Sequence, residues 1–210
     1  MATADSPTTA DGSTPLRSWR LVAVGAWAGL LAGLAEGALL AVSVPRKRTK
    51  IVVAGTVHPN YRAVARTYSE GLPVSVVETP VPAETLAVTP DAFDGLLDEQ
   101  TACVVVQYPN FFGRIEDVAA IGRRAHEVGA KLVVSAYPMA LGLLKAPGEL
   151  GADIVSGEGQ SLGVPASFGG PVVGLLACRQ ELVRQMPGRL AGMTVDSEGK
   201  RGFVLALQTR

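Results

Sequence analysis

From Lys50 to Ala177, short runs rich in valine and isoleucine alternate with segments whose apolar residues recur at helical spacing. No other feature constrains the fold as much. Ile51 to Ala54, Val74 to Val77, Cys103 to Val106, Leu132 to Val134, Ile154 to Val155 and Val172 to Ala177 read as strands. Between them Tyr61, Val64, Ala65 and Tyr68 repeat at helical spacing until Gly71 supplies a stop. Thr89-Pro90-Asp91 opens a short helix whose apolar side is Phe93, Leu96 and Leu97. Val118, Ile121, Ala125 and Val128 line another, closed by Gly129. Strands that are apolar at successive positions are covered on both faces, so the pattern predicts an α/β fold with a mainly parallel sheet between helices.

In such sheets ligands sit at the loops leaving the carboxyl ends of the strands. That rule selects residues 55–60, 107–113, 135–138 and 157–171, and predicts that they face one side. The last of these, GEGQSLGVPASFGGP, has five glycines and two prolines in fifteen positions. Glycine there lets the backbone approach a ligand or another strand closely. Its spacing is not that of a nucleotide loop: Gly157-x-Gly159-x-x-x-Gly163 is one residue longer than G-x-G-x-x-G, and no G-K-[S/T] occurs. Ser161 and Ser167 lie outside any G-x-S-x-G elbow. His58 opens a helix beside Pro59, where it caps, packs, or faces the loop cluster. His126 reads as a solvated residue on the polar side of its helix, and Glu116-Asp117 as acidic residues favouring a helix amino terminus.

Nineteen basic and nineteen acidic residues balance, and aromatics are few, which argues against nucleic acid as a partner. The two cysteines, Cys103 and Cys178, lie within apolar runs and behave as small buried hydrophobes. No C-x-x-C pair or His spacing suggests a metal site. Residues 1–20 read as a disordered leader and 21–48 as an apolar helix. The part from Leu21 to Val44 would be about 36 Å long, enough to cross a bilayer. Gly25, Gly29, Gly33 and Gly37 give it a small-residue stripe, and Arg46, Lys47, Arg48 and Lys50 flank it. Glu36 opposes insertion, and a helix buried in a larger α/β protein has the same appearance.

Longer stretches carry a resemblance. GTVHPNYRAVARTY (55–68), VVVQYPNFFGRIED (104–117), LLKAPGELGADIVSGEGQSLGVPASFGGP (143–171) and RQMPGRLAGMTVDSEGKRGFVLALQTR (184–210) resemble the decarboxylating glycine dehydrogenase family. The similarity is closest to its subunit 1, the amino-terminal half of the P-protein of the glycine cleavage system, and runs from about Ala32 onward. It implies the large domain of fold type I pyridoxal-phosphate-dependent transferases, a three-layer α/β/α arrangement occupying 49–210, with Val172 to Ala177 as its antiparallel strand. It also implies that the Schiff-base lysine stands in the carboxyl-terminal-half subunit. Set beside that subunit's K-T-F-x-I-P-H-G-G-G-G-P loop, Gln160 takes the lysine position, and Tyr137 the place of the carboxylate that pairs with the pyridine nitrogen.

The resemblance therefore implies a non-catalytic half with pyridoxal phosphate held by the partner subunit. The implied complex is a heterotetramer that releases CO2 from glycine and passes the aminomethyl group to the lipoyl arm of the H-protein. His58, Asn110, Phe111 and Phe112 are the candidate interface residues, and the cytoplasm is the implied location. Two departures from the family pattern, the hydrophobic leader and a carboxyl end inside a family motif, imply a fragment of subunit 1. The alternative is a membrane-anchored, non-enzymatic remnant with its span at 21–44.

Overall fold

The computed structural model describes residues 19–24, 29–44, 48–170 and 172–208. The leader expected at 1–20 otherwise lies outside the described residues, but its last two are already strand. A seven-stranded sheet forms the centre. In chain order its strands are β1 (Trp19–Val24), β2 (Lys50–Val53), β3 (Ser75–Glu78), β4 (Thr101–Tyr108), β5 (Lys131–Ala136), β6 (Ile154–Glu158) and β7 (Gly174–Arg179). Across the sheet the order is β1-β7-β6-β5-β4-β2-β3. The five strands from β6 to β3 are mutually parallel, whereas β7 pairs antiparallel with both β6 and β1.

Three helices, α1 (Gly29–Ser43), α2 (Pro59–Ser69) and α3 (Val118–Glu127), cover the sheet. Neighbouring residues of a strand point to opposite faces, which places the layers. On β5, Val133 lies beneath Gly37 of α1, while Leu132 lies against Gly122 of α3. Helices α1 and α3 therefore occupy opposite faces, and α2 packs beside α1. Ile51 to Val53, Cys103 to Val106 and Leu132 to Val134 are buried at every position, as strands between two helical layers must be. A separate antiparallel hairpin, β8 (Arg189–Val195) and β9 (Arg201–Gln208), follows the sheet.

The apolar run from Leu21 is not one helix. It divides: Trp19–Val24 forms the edge strand β1, and helix resumes at Gly29. WRLVAV is rich in aromatic and β-branched residues, which suit a pleated surface, and it pairs along its whole length with β7. The glycine stripe also has a different purpose from the membrane one. A Cβ at Gly37 would meet Ile154 Cγ2 at 3.3 Å and Val133 Cγ1 at 3.5 Å, so the absence of a side chain lets α1 lie close on the sheet. Leu34, Ala35, Ala38 and Ala41 of the same helix are buried in the core. Among the described residues no helix is long and apolar enough to cross a membrane, which removes the basis for a span at 21–44. Glu36 is half-buried, and burial raises its pKa above the ordinary carboxylate value.

Candidate functional site at the carboxyl edge of the sheet

Because β2, β4, β5 and β6 are parallel, the loops that follow them emerge on one side. Between them is a cleft of about 240 Å³ lined by Tyr61, Gln107, Pro109, Asn110, Ser135, Ala136 and Tyr137. Gln107 Oε1 accepts from the amide of His58 at 2.8 Å, fixing the start of α2 over the end of β4. His58 is the N-cap, its Nδ1 accepting from Asn60 N at 3.1 Å. Its ring stacks on Tyr61 (centroids 4.6 Å) and meets the edge of Phe111 (4.7 Å), which in turn contacts Phe112 (5.2 Å). Capping and packing thus coincide at His58. Burial, and after it the Glu158 charge, raises the Tyr61 pKa above its usual value, so this phenol stays neutral.

Phe111 and Phe112 are 45% and 40% exposed, available at the edge of the cleft. Asn110 is not. It is buried, its Oδ1 accepting from Phe112 N at 3.0 Å and Arg114 N at 2.9 Å. Its Nδ2 donates to Leu86 O at 2.8 Å and Glu116 Oε1 at 2.9 Å. Asn110 shapes the turn rather than presenting itself to a partner. Of the pair expected to favour the helix amino terminus, Asp117 caps it, its side chain accepting from Ala120 N, whereas Glu116 is buried and bonded to three loops. An acidic pair before a helix gives no sign of which member turns inward.

The glycine-rich stretch begins on β6 and returns into β7. Glu158 Oε1 closes it at both ends, accepting from Gln160 N at 2.8 Å and Val173 N at 2.9 Å. A Cβ at Gly157 would stand 2.9 Å from Ala136 O, so glycine permits the close approach of β6 to the end of β5. Further along, Ser167 and Phe168 both have positive φ (37° and 58°), and the Phe168 side chain is fully exposed. Tyr137, at the end of β5, is half exposed and lines the cleft. The turn that follows it packs against the short turn Gln160–Leu162.

These groups define the chemistry available. The cleft lining offers phenols, amides and a hydroxyl, with no amine, carboxylate or cationic side chain. Gln160, in the short turn after β6, carries an amide, which is not a nucleophilic amine. Such a lining does not fit pyridoxal phosphate as a covalently held cofactor. It has no amine to bond the aldehyde, no carboxylate for the ring nitrogen and no cation for the phosphate. Cys103 and Cys178 are free and buried. Burial raises both thiols, Cys178 to about 11 with the Glu181 charge contributing, so neither is a thiolate at neutral pH. Among the described residues no cluster could hold a metal ion.

A mostly parallel sheet between helices, with a glycine-rich loop leading into an antiparallel strand, is the large-domain arrangement of fold type I pyridoxal-phosphate-dependent enzymes. The crystal structure of an inhibitor-bound glycine decarboxylase (P-protein) of the glycine cleavage system superposes with a TM-score of 0.78 and 45% identity. The match covers 87% of this chain and 40% of that one. A Burkholderia pseudomallei sphingosine-1-phosphate lyase shares the fold at 19% identity and a TM-score of 0.59, over 89% of this chain and 43% of the lyase. Residues 28–210 match the family described as glycine cleavage system P-protein, and the chain belongs to that family. Among its relatives is the probable glycine dehydrogenase (decarboxylating) subunit 1 of Thermomicrobium roseum, 70% identical over 177 residues. That of Desulforamulus reducens is 54% identical over the same number. Each match covers 84% of this chain and 39% of the relative, so the chain spans about two fifths of the length of these curated relatives.

Proposed function

We infer that this chain acts as the subunit 1 half of a glycine-decarboxylating P-protein. In this reading it is non-catalytic by itself and completes a complex with a lysine-bearing carboxyl-terminal-half subunit that holds pyridoxal phosphate. The complex releases CO2 from glycine and transfers the aminomethyl group to the lipoyl group of the H-protein. Family membership supports the assignment. The observation that carries the non-catalytic role is the chemistry of the cleft, a phenol at Tyr137 and a lining without amine, carboxylate or cation; the glutamine at position 160 in the adjoining glycine-rich loop agrees with it. What this half contributes is a neutral, aromatic-edged surface at the carboxyl side of the sheet, with His58, Phe111 and Phe112 as its contacts.

Reduction with borohydride tests the division of labour. Incubated alone with pyridoxal phosphate and reduced, the chain should carry no specific pyridoxyl-lysine. Co-expressed with the carboxyl-terminal half, it should co-purify, support glycine-bicarbonate exchange, and leave the reduced adduct on a lysine of the other subunit. A stoichiometric adduct on a lysine of this chain, such as the exposed Lys145, would show that the cofactor is held here. Failure to co-purify would remove the proposed partnership.

A further inference from the structure

Glu116 lies just before α3, yet its side chain points away from solvent and is 5% exposed. Its Oε1 accepts three hydrogen bonds: from Thr56 Oγ1 at 2.5 Å, Asn110 Nδ2 at 2.9 Å and Val88 N at 3.2 Å. These donors come from three chain segments that are far apart in sequence, the loop after β2, the loop after β3 and the loop after β4. Two of them lead directly to the aromatic edge. Thr56 O accepts from Phe111 N at 2.9 Å, and Asn110 Oδ1 accepts from Phe112 N and Arg114 N. The backbone amides of Phe111 and Phe112 are thus each held by a residue that Glu116 itself holds. The second oxygen, Oε2, is buried with no hydrogen-bond partner among the described residues, so the connection runs through Oε1.

We propose that Glu116 is the positioning residue of this face: a buried carboxylate that gathers three loops and fixes Phe111 and Phe112 in the orientation presented to the partner subunit. The presentation step rests on the function inferred above. The fixing step does not. Leaving buried donors unpaired costs more than the bond itself contributes. Removing Glu116 leaves the Thr56 hydroxyl and the Val88 amide without their acceptor and the Asn110 amide with one of its two. The turn from Asn110 to Arg114 then loosens, while the sheet behind it, held by its own ladder, does not.

Amide hydrogen exchange on the full chain reads this locally. Glu116→Ala should speed exchange at Phe111, Phe112 and Arg114 by at least about tenfold, with the β4 and β5 amides unchanged. Glu116→Gln keeps an acceptor oxygen at the same place and should hold those amides within about threefold of the parent. A residue that merely stabilised the fold would change exchange throughout the core and would not be rescued this way. Should Glu116→Ala fail to fold, Thr56→Val removes one donor at constant shape and should loosen the same three amides. Unchanged exchange in Thr56→Val and in any Glu116→Ala that folds, or Glu116→Gln behaving like Glu116→Ala, overturns the assignment. Association with the lysine-bearing half separates the two claims. Fast local exchange with weakened association supports both. Fast local exchange with unchanged association keeps Glu116 as the organiser of the turn and overturns the pairing of this face with that partner.

Discussion

Replacing Asp153 by alanine is expected to lower stability at neutral pH by about 3 kcal/mol, because that carboxylate is a buried charge on which several groups converge. Its side chain is 5% exposed. Oδ2 accepts from Leu132 N at 2.8 Å and from His126 Nε2 at 2.7 Å, and Oδ1 lies 3.4 Å from Lys131 Nζ and 3.3 Å from Arg179 Nε. The alanine variant leaves the buried Leu132 amide without this acceptor and releases the His126, Lys131 and Arg179 side chains from it. Those side chains are 24% to 41% exposed and regain water, which keeps the loss near the lower end of what breaking a buried pair costs. Burial alone would raise the Asp153 pKa. The hydrogen bonds from His126 and the Leu132 amide and the charges of Lys131 and His126 outweigh it and hold the folded value below the ordinary one.

A depressed folded pKa contributes stability above the unfolded value, about 3.9 for aspartate, and that contribution is lost as pH falls through the folded value. The deficit of Asp153→Ala in urea unfolding should therefore be full at pH 7 and narrow progressively below about pH 4. A deficit that is the same at pH 7 and at strongly acid pH would mean that packing, not the carboxylate charge, is responsible. Asp153 precedes β6, at the opposite end of that strand from the cleft, so the variant tests the scaffold and not the site.

Much of the scaffold was legible in the sequence because its signals are local. Each of the valine-rich runs forms part of a strand, and the loops chosen from their carboxyl ends do emerge together, because β2, β4, β5 and β6 pair in parallel. What local patterns could not show were choices made by tertiary contact. Leu21 to Val44 is apolar apart from Glu36 and Ser43, and apolarity alone does not separate the four residues that belong to β1 from the fifteen that form α1. His126 is exposed on the polar side of its helix, as its spacing predicts, but nothing local announces that Asp153, 27 residues away, comes within hydrogen-bonding distance. Glu116 and Asp117 are adjacent carboxylates before a helix, and only the positions of Thr56, Val88 and Asn110 send the first inward. At the site, the aromatic contacts of His58 depend on Phe111 arriving from a loop 53 residues away in sequence, which no spacing rule anticipates.

Gly55→Ala should be nearly as damaging as the loss of Asp153, for a reason unrelated to charge or backbone conformation. A Cβ at Gly55 would stand 2.3 Å from Thr79 O and 3.0 Å from Val81 Cγ2. The first of these atoms belongs to the backbone, so a rotamer change does not relieve the overlap. The chain after β3 must move, and that movement breaks the bond from Gly55 N to Thr79 Oγ1, now 3.0 Å. Overpacking together with a lost buried hydrogen bond gives an expected cost of about 3 kcal/mol. Gly122→Ala provides the contrast. Its Cβ would meet Leu132 Cδ2 at 2.8 Å, the tip of a flexible side chain, and alanine gains about 1 kcal/mol of helix propensity over glycine. Its net cost should stay below about 1 kcal/mol. Urea midpoints for the two variants, measured at equal slope, decide the matter: equal stability of Gly55→Ala and the parent would show that the β2 and β3 edge yields freely. Such yielding would also weaken the case for a fixed aromatic edge, since Gly55 immediately precedes Thr56, which holds both Glu116 and the amide of Phe111.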